Sequence, residues 1–118
     1  MRYTYVNADN SAGDATAFGA AGQDVLVKKI IFGLPTDGGI TILHNAAVAA
    51  GHASGMGSIA TANAALKHTQ ATHAAGTDFE RFIDFTSDGS QGLQLDGGSI
   101  HTDEAQVTVI WETADEAR

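Results

Sequence analysis

FERFIDF at residues 79–85, then SDGSQGLQLDGGSIHTDEAQ at 87–106 and VTVIWE at 107–112, decide the fold of this chain. Two alternating apolar runs flank a short GLQL run, with Asp-Gly and Gly-Gly between them. A period of two marks strands that bury one face. In the first run Phe79, Ile83 and Phe85 share a face, and in the last Val107, Val109 and Trp111 do. Gly after Asp or Gly supplies the positive φ that tight hairpin turns need. This end therefore reads as antiparallel β-sheet, with Trp111 in its core.

Upstream, Val25 to Leu34 is the next strand. Val25, Val27 and Ile31 point one way and Leu26, Ile30 and Phe32 the other, so both faces are apolar and a central position is expected. Leu34-Pro35-Thr36-Asp37-Gly38-Gly39 is a turn, and GITILH at 39–44 reads as the partner strand of a hairpin. Met1 to Asn7 is β-prone, with Tyr3 and Tyr5 on one side and Thr4 and Val6 on the other. The small, Gly-rich stretch behind it reads as a loop that Phe18 anchors. Residues 1–24 are thus expected to form an N-terminal strand or arm and loop, and 25–118 the body of a single domain. The Ala-rich middle is ambiguous. Ile59, Ala62 and Leu66 fall at helical spacing, so Ser58 to Ala75 reads as a short helix, or equally as a strand with a long loop. In total, seven or eight short strands point to an all-β antiparallel sandwich or jelly roll.

Composition narrows the function classes. The 118 residues are enough for one domain with a modest core, and 43% are hydrophobic. The net charge is −8 with only six Lys and Arg, which argues against binding nucleic acid through phosphates or adhering to an anionic membrane. No apolar run is long enough to span a bilayer, and the N-terminus lacks the apolar region of a secretory signal. There is no Cys, hence no disulfide framework and no thiolate metal site.

The chemical motifs are weak. Gly55-Met56-Gly57-Ser58-Ile59-Ala60 matches G-x-G-x-x-A, with Asp78 eighteen residues on. Ten residues separate it from the preceding strand, however, and no βαβ unit follows. His52 and Ser54 share a glycine loop without the spacing of a nucleophile elbow or an orienting acid. His44, His52, His68, His73 and His101 form no familiar ligand spacing and read as surface or interface residues. Asp84, Asp88 and Asp96 border a Gly-rich stretch but miss the calcium-loop pattern, and Asp-Gly turns account for them. Glu80 and Asp84 flank Phe82 on the less apolar strand face, which reads as solvated or subunit-facing. No cofactor or metal is expected.

Gly38-Gly39-Ile40-Thr41-Ile42-Leu43, Ile83-Asp84-Phe85, Gly92-Leu93-Gln94-Leu95 and Ala105-Gln106-Val107-Thr108-Val109-Ile110-Trp111-Glu112 together resemble the small jelly-roll head decoration, or cement, proteins of tailed bacteriophages. The resemblance spans roughly Val25 to Glu112 and is poor in the Ala-rich middle. It implies a non-enzymatic virion protein, made in the host cytoplasm and placed on the outer capsid surface. Its implied partners are the major capsid protein and its own copies, as a homotrimer. The alternative is a fibre, spike or tail-associated binding module that recognises a host glycan or protein. Tyr3, Tyr5 and Phe18 are the expected subunit or capsid contacts, because a terminal β-prone segment can reach a neighbour's sheet edge.

Overall fold

The computed structural model describes residues 1–6, 16–20, 22–33, 40–45, 66–69, 82–103 and 106–116. These contain no helix and nine strands: β1 (Arg2–Val6), β2 (Thr16–Phe18), β3 (Asp24–Gly33), β4 (Ile40–His44), β5 (Leu66–Thr69), β6 (Phe82–Asp84), β7 (Leu93–Asp96), β8 (Gly98–Asp103) and β9 (Gln106–Thr113). All pairings are antiparallel. The five-stranded sheet runs β1-β9-β3-β6, with β7 also on β3; the four-stranded sheet runs β2-β8-β4-β5.

The pairing order has a simple rule. β6 and β7 lie end to end along one edge of β3, β7 against Asp24–Val27 and β6 against Lys29–Ile31. Counted as one interrupted strand, they make the sixth of eight. The first strand then pairs with the last, the second with the next to last, the third with the sixth and the fourth with the fifth. This is a long folded ribbon. Rolling it up brings β9 beside β3 and β8 beside β4, which closes the two sheets of a jelly roll. The count of nine exceeds the expected seven or eight because the excursion at 85–92 splits that sixth strand.

The core lies between the sheets. Val6, Val25, Val27, Ile30, Phe32, Leu95, Val107, Val109 and Trp111 come from the larger sheet, and Phe18, Leu43 and Ile100 from the smaller. Trp111 is buried as expected. Its ring sits 5.6 Å from that of Phe18, and its Nε1 donates to Thr4 Oγ1 at 2.9 Å. A buried indole N–H without an acceptor would be costly, and the hydroxyl on β1 removes that cost.

Three expectations are corrected, and one that stood open is resolved. First, β3 and β4 do not form a hairpin: they belong to different sheets. Second, β3 does not keep its face assignment. A bulge between Val27 and Lys29 shifts the register, so Val25 and Val27 share the core face with Ile30 and Phe32, while Ile31 is 40% exposed. One extra residue reverses which parity points inward. Third, residues 1–24 are not an appendage to the sandwich. β1 pairs with β9 over five positions and β2 pairs with β8, so each sheet contains one of these strands. Fourth, the ambiguous middle contributes strand β5 at Leu66–Thr69; the remainder of Ser58–Ala75 lies outside the described residues.

Candidate functional site

The outer face of the five-stranded sheet is the surface that sets this molecule apart. Strand alternation turns Thr4 and Val6 of β1 inward, with Val109 and Val107 directly opposite them on β9. The intervening Tyr3 and Tyr5 must then face outward, and they are 69% and 56% exposed. Register carries this face across the sheet. Tyr5 lies opposite Thr108, Thr108 opposite Ile31, and Ile31 opposite Phe82. The adjacent rung runs Tyr3, Ile110, Lys29, Asp84. Phe82 is 47% exposed. Of the five exposed large apolar side chains among the described residues, four lie on this face, and the fifth, Met1, leads into β1.

Two ion pairs lie on the face, and Asp24 and Asp96 stand opposite each other at its β7 end. Lys29 Nζ lies 5.1 Å from the centre of the Phe82 ring and 3.9 Å from Asp84 Oδ2. Lys28, at the β3 bulge, meets Glu112 Oε1 at 3.0 Å and also donates to the Gln91 carbonyl. The Asp84 carboxyl is held below the usual carboxylate range, first by the Thr86 hydroxyl and then by the Thr86 amide, with Lys29 adding to them. Both Thr86 groups donate to Asp84 Oδ1, at 2.7 and 2.9 Å. Asp84 is therefore fixed in its charged form at the β6 end of the face.

The expected contacts divide. Tyr3 and Tyr5 stand on this face, exposed. Phe18 does not: it is 3% exposed, packed on Trp111 and directly opposite Gly98. A Cβ at Gly98 would come 2.1 Å from the Phe18 ring, so the ring fills space that only glycine leaves open. Phe18 anchors the core and offers no surface to a neighbour. Ile31, Phe82 and Lys29 complete the face but escape a reading of the sequence. Only the bulge reveals that Ile31 is outward, and only register brings Phe82 to Tyr5.

The histidine reading is also corrected. His44 and His101 are fully buried, on the face of the smaller sheet opposite to Leu43 and Ile100. His44 Nε2 lies 3.2 Å from His101 Nδ1, and His44 Nδ1 lies 3.3 Å from the Asn45 carbonyl. With both rings neutral, His44 donates to that carbonyl and accepts from His101. Their separation of 57 residues in the chain hides the pair from any local spacing rule. Ile42 and Ser99 are buried on this same face, so β4 and β8 are covered on both sides, as β3 is at Val25–Val27, where Leu26 is buried on the face opposite to Val25 and Val27.

Of the aspartates of the Gly-rich stretch, Asp84 and Asp88 border one hollow and Asp96 does not. Asp88 Oδ1 accepts from the Ser90 amide at 2.9 Å, and Asp96 Oδ1 from the Gly22 amide at 3.0 Å. An open hollow of about 290 Å³ lies beside Asp84, Phe85, Asp88 and Leu93. Among the described residues no three His, Cys, Asp or Glu side chains cluster as metal ligands would. No helix among them is long and apolar enough to cross a membrane. The glycine motifs at 51–60, together with Asp78, Phe79, Glu80, His52 and His73 and the His68 side chain, lie outside what the structure describes. No family model matches the chain, and comparison with curated proteins and with solved structures found no match.

Proposed function

We propose that this chain is a non-enzymatic structural protein of a phage virion, a decoration protein that docks on the outer surface of the assembled head and stabilises it. The observation that carries the reading is the exposed apolar face formed by Tyr3, Tyr5, Ile31 and Phe82 on a chain of net charge −8. Clustered aromatic and aliphatic side chains with paired charges are what a protein–protein contact buries at its centre. The acidic balance suits an exterior position away from packaged DNA. An all-β sandwich agrees with the fold expected from the resemblance of residues 25–112 to decoration proteins, and that resemblance would add the major capsid protein and a homotrimer as partners. Decoration stabilises a shell by binding the assembled lattice more tightly than its loose subunits.

The test is co-sedimentation with undecorated heads built from the cognate capsid protein. The wild-type chain is expected in the pellet, saturating at a fixed ratio to capsid subunits. A chain that stays in the supernatant at every concentration overturns the reading. A second reading, a fibre or spike module, draws support from Tyr3 and Tyr5, whose exposed rings at i and i+2 offer a stacking platform to a sugar. Saturable change of tyrosine fluorescence on adding host glycans, without binding to heads, would favour it.

A further inference from the structure

We propose that the buried pair His44–His101 is an acid-sensitive latch in the smaller sheet: the folded chain holds a charge on at most one of the two rings, and a second proton breaks the seam between β4 and β8. The latch is independent of whatever the exposed face of the larger sheet binds.

The pair spans the two central strands of the smaller sheet diagonally. His44 stands opposite Ser99, and His101 opposite Ile42. Both rings lie on the sheet face turned away from Leu43 and Ile100, where strand side chains ordinarily meet water. Both are nevertheless 0% exposed, with Ile42 and Ser99 buried beside them. A charge placed there is cut off from water, which costs far more than burying a neutral ring.

Hydrogen bonding sets the limit on charge. His44 Nε2 and His101 Nδ1 are 3.2 Å apart, and His44 Nδ1 lies 3.3 Å from the Asn45 carbonyl, which requires an N–H on that nitrogen. With both rings neutral, His101 donates and His44 Nε2 accepts. With one ring charged, the other still brings a lone pair to the contact: a charged His101 donates to His44, or a charged His44 donates to His101. With both charged, N–H faces N–H, and two positive rings sit with their centres 5.3 Å apart, out of water. The contact admits no charge or one charge, never two.

The surrounding strands compensate one charge and no more. On this face β8 adds Asp103, two residues from His101, and β5 places Lys67 opposite Ile42. β2 brings Ala17 opposite Ser99, and β4 brings Ile40 and Ile42. Asn45, next to His44, accepts the Asp96 amide on its side chain, and the Asp96 carboxylate accepts from the Gly22 amide. On the core side the two strands present Leu43, Ile100 and the bonded hydroxyls of Thr41 and Thr102. Among the described residues of this face, a single carboxylate set against a lysine leaves a second imidazolium uncompensated.

Histidine is the side chain that changes charge between about pH 5 and 8. The Asp84, Asp88 and Glu116 carboxyls are held below the usual carboxylate range by hydrogen bonds from Thr86, Ser90 and Arg2 respectively, so they change charge in more acid solution. As pH falls, the unfolded chain takes a proton on both rings and the folded chain on one at most. Acid therefore favours the unfolded chain, and stability present at neutral pH is lost. A difference of one proton shifts the equilibrium about tenfold per pH unit.

Two measurements test the latch. Ring nitrogen NMR of the full wild-type chain, from about pH 8 to about pH 5, counts the charged rings while the sheet is folded. No more than one of His44 and His101 is expected as imidazolium; both charged in an intact sheet overturns the proposal. Urea unfolding over the same range measures the proton linkage. His44→Gln and His101→Asn each put an amide where the contacting nitrogen stood, and an amide pairs with the remaining ring in either charge state. Between about pH 6 and about pH 5 the wild-type equilibrium should move toward unfolding about tenfold more per pH unit than that of either variant. Variants as steep as wild type assign the acid response to other groups and overturn the proposal. The NMR count needs neither variant, so it decides the matter should both fail to fold.

Discussion

Gly98 and Phe18 face each other across β8 and β2 with no room to spare. An added Cβ would lie 2.1 to 2.6 Å from three carbons of the ring. The ring cannot retreat freely, because Trp111 stands behind it at 5.6 Å. Gly98→Ala should therefore cost about 1–3 kcal/mol, as overpacking does, and Phe18→Leu in the same chain should restore part of it. Urea midpoints of the two single variants and the double variant measure this; an unchanged midpoint for Gly98→Ala would mean that the ring moves at no cost. Asp84 gives a prediction in pH. Its folded-state pKa is depressed, so the stability it contributes is complete above the usual carboxylate value of about 4. That contribution is lost as pH falls through the lower folded-state value. Thermal midpoints followed from neutral pH to pH 3 should fall less for Asp84→Asn than for wild type. Parallel curves would show that Thr86 and Lys29 do not stabilise the charged form.

At the scale of elements, the bulge in β3 organises its surroundings. Lys28 is the extra residue, and its carbonyl accepts from the Phe85 amide at 3.0 Å, where β6 ends. Gly92 re-enters at φ 124°, where a Cβ would sit 2.7 Å from the Val27 carbonyl oxygen. The excursion at 85–92 thus leaves and rejoins the sheet on either side of the bulge. Alternation in 107–112 and the Gly-punctuated turns made the β-class legible, together with Trp111 and the outward pair Tyr3 and Tyr5. The bulge was not legible, since Lys-Lys in an apolar run carries no mark of an extra residue. Strict alternation therefore turned Ile31 the wrong way. The β3–β4 hairpin failed for another reason: adjacent strands with a Pro-Gly turn look the same whether they pair or cross between sheets. Phe18 looked like a loop anchor because the three-residue β2 is too short to show a period. The status of β1 follows from its pairing. Removing residues 1–6 uncovers Val107, Val109 and Trp111 and takes Thr4 from the indole N–H. That truncation should abolish cooperative unfolding and near-ultraviolet dichroism. A truncated chain with a wild-type midpoint would return β1 to the status of an arm.

At the scale of the whole molecule, a rolled ribbon with its first and last strands in one sheet gathers four of the five exposed large apolar side chains among the described residues on one face. The site was half legible. Tyr3 and Tyr5 lie two apart in the sequence, but Ile31 and Lys29 reach them only through two strand pairings and Phe82 only through three. The proposed role makes one demand beyond binding, that occupancy raise the stability of the shell. The direct measurement is scanning calorimetry of undecorated heads with increasing amounts of this chain. The account predicts an upward shift of the shell transition that saturates with occupancy, and that Tyr3→Ser/Tyr5→Ser reproduces only at higher concentration. A shell transition that stays in place while the chain is bound would contradict it.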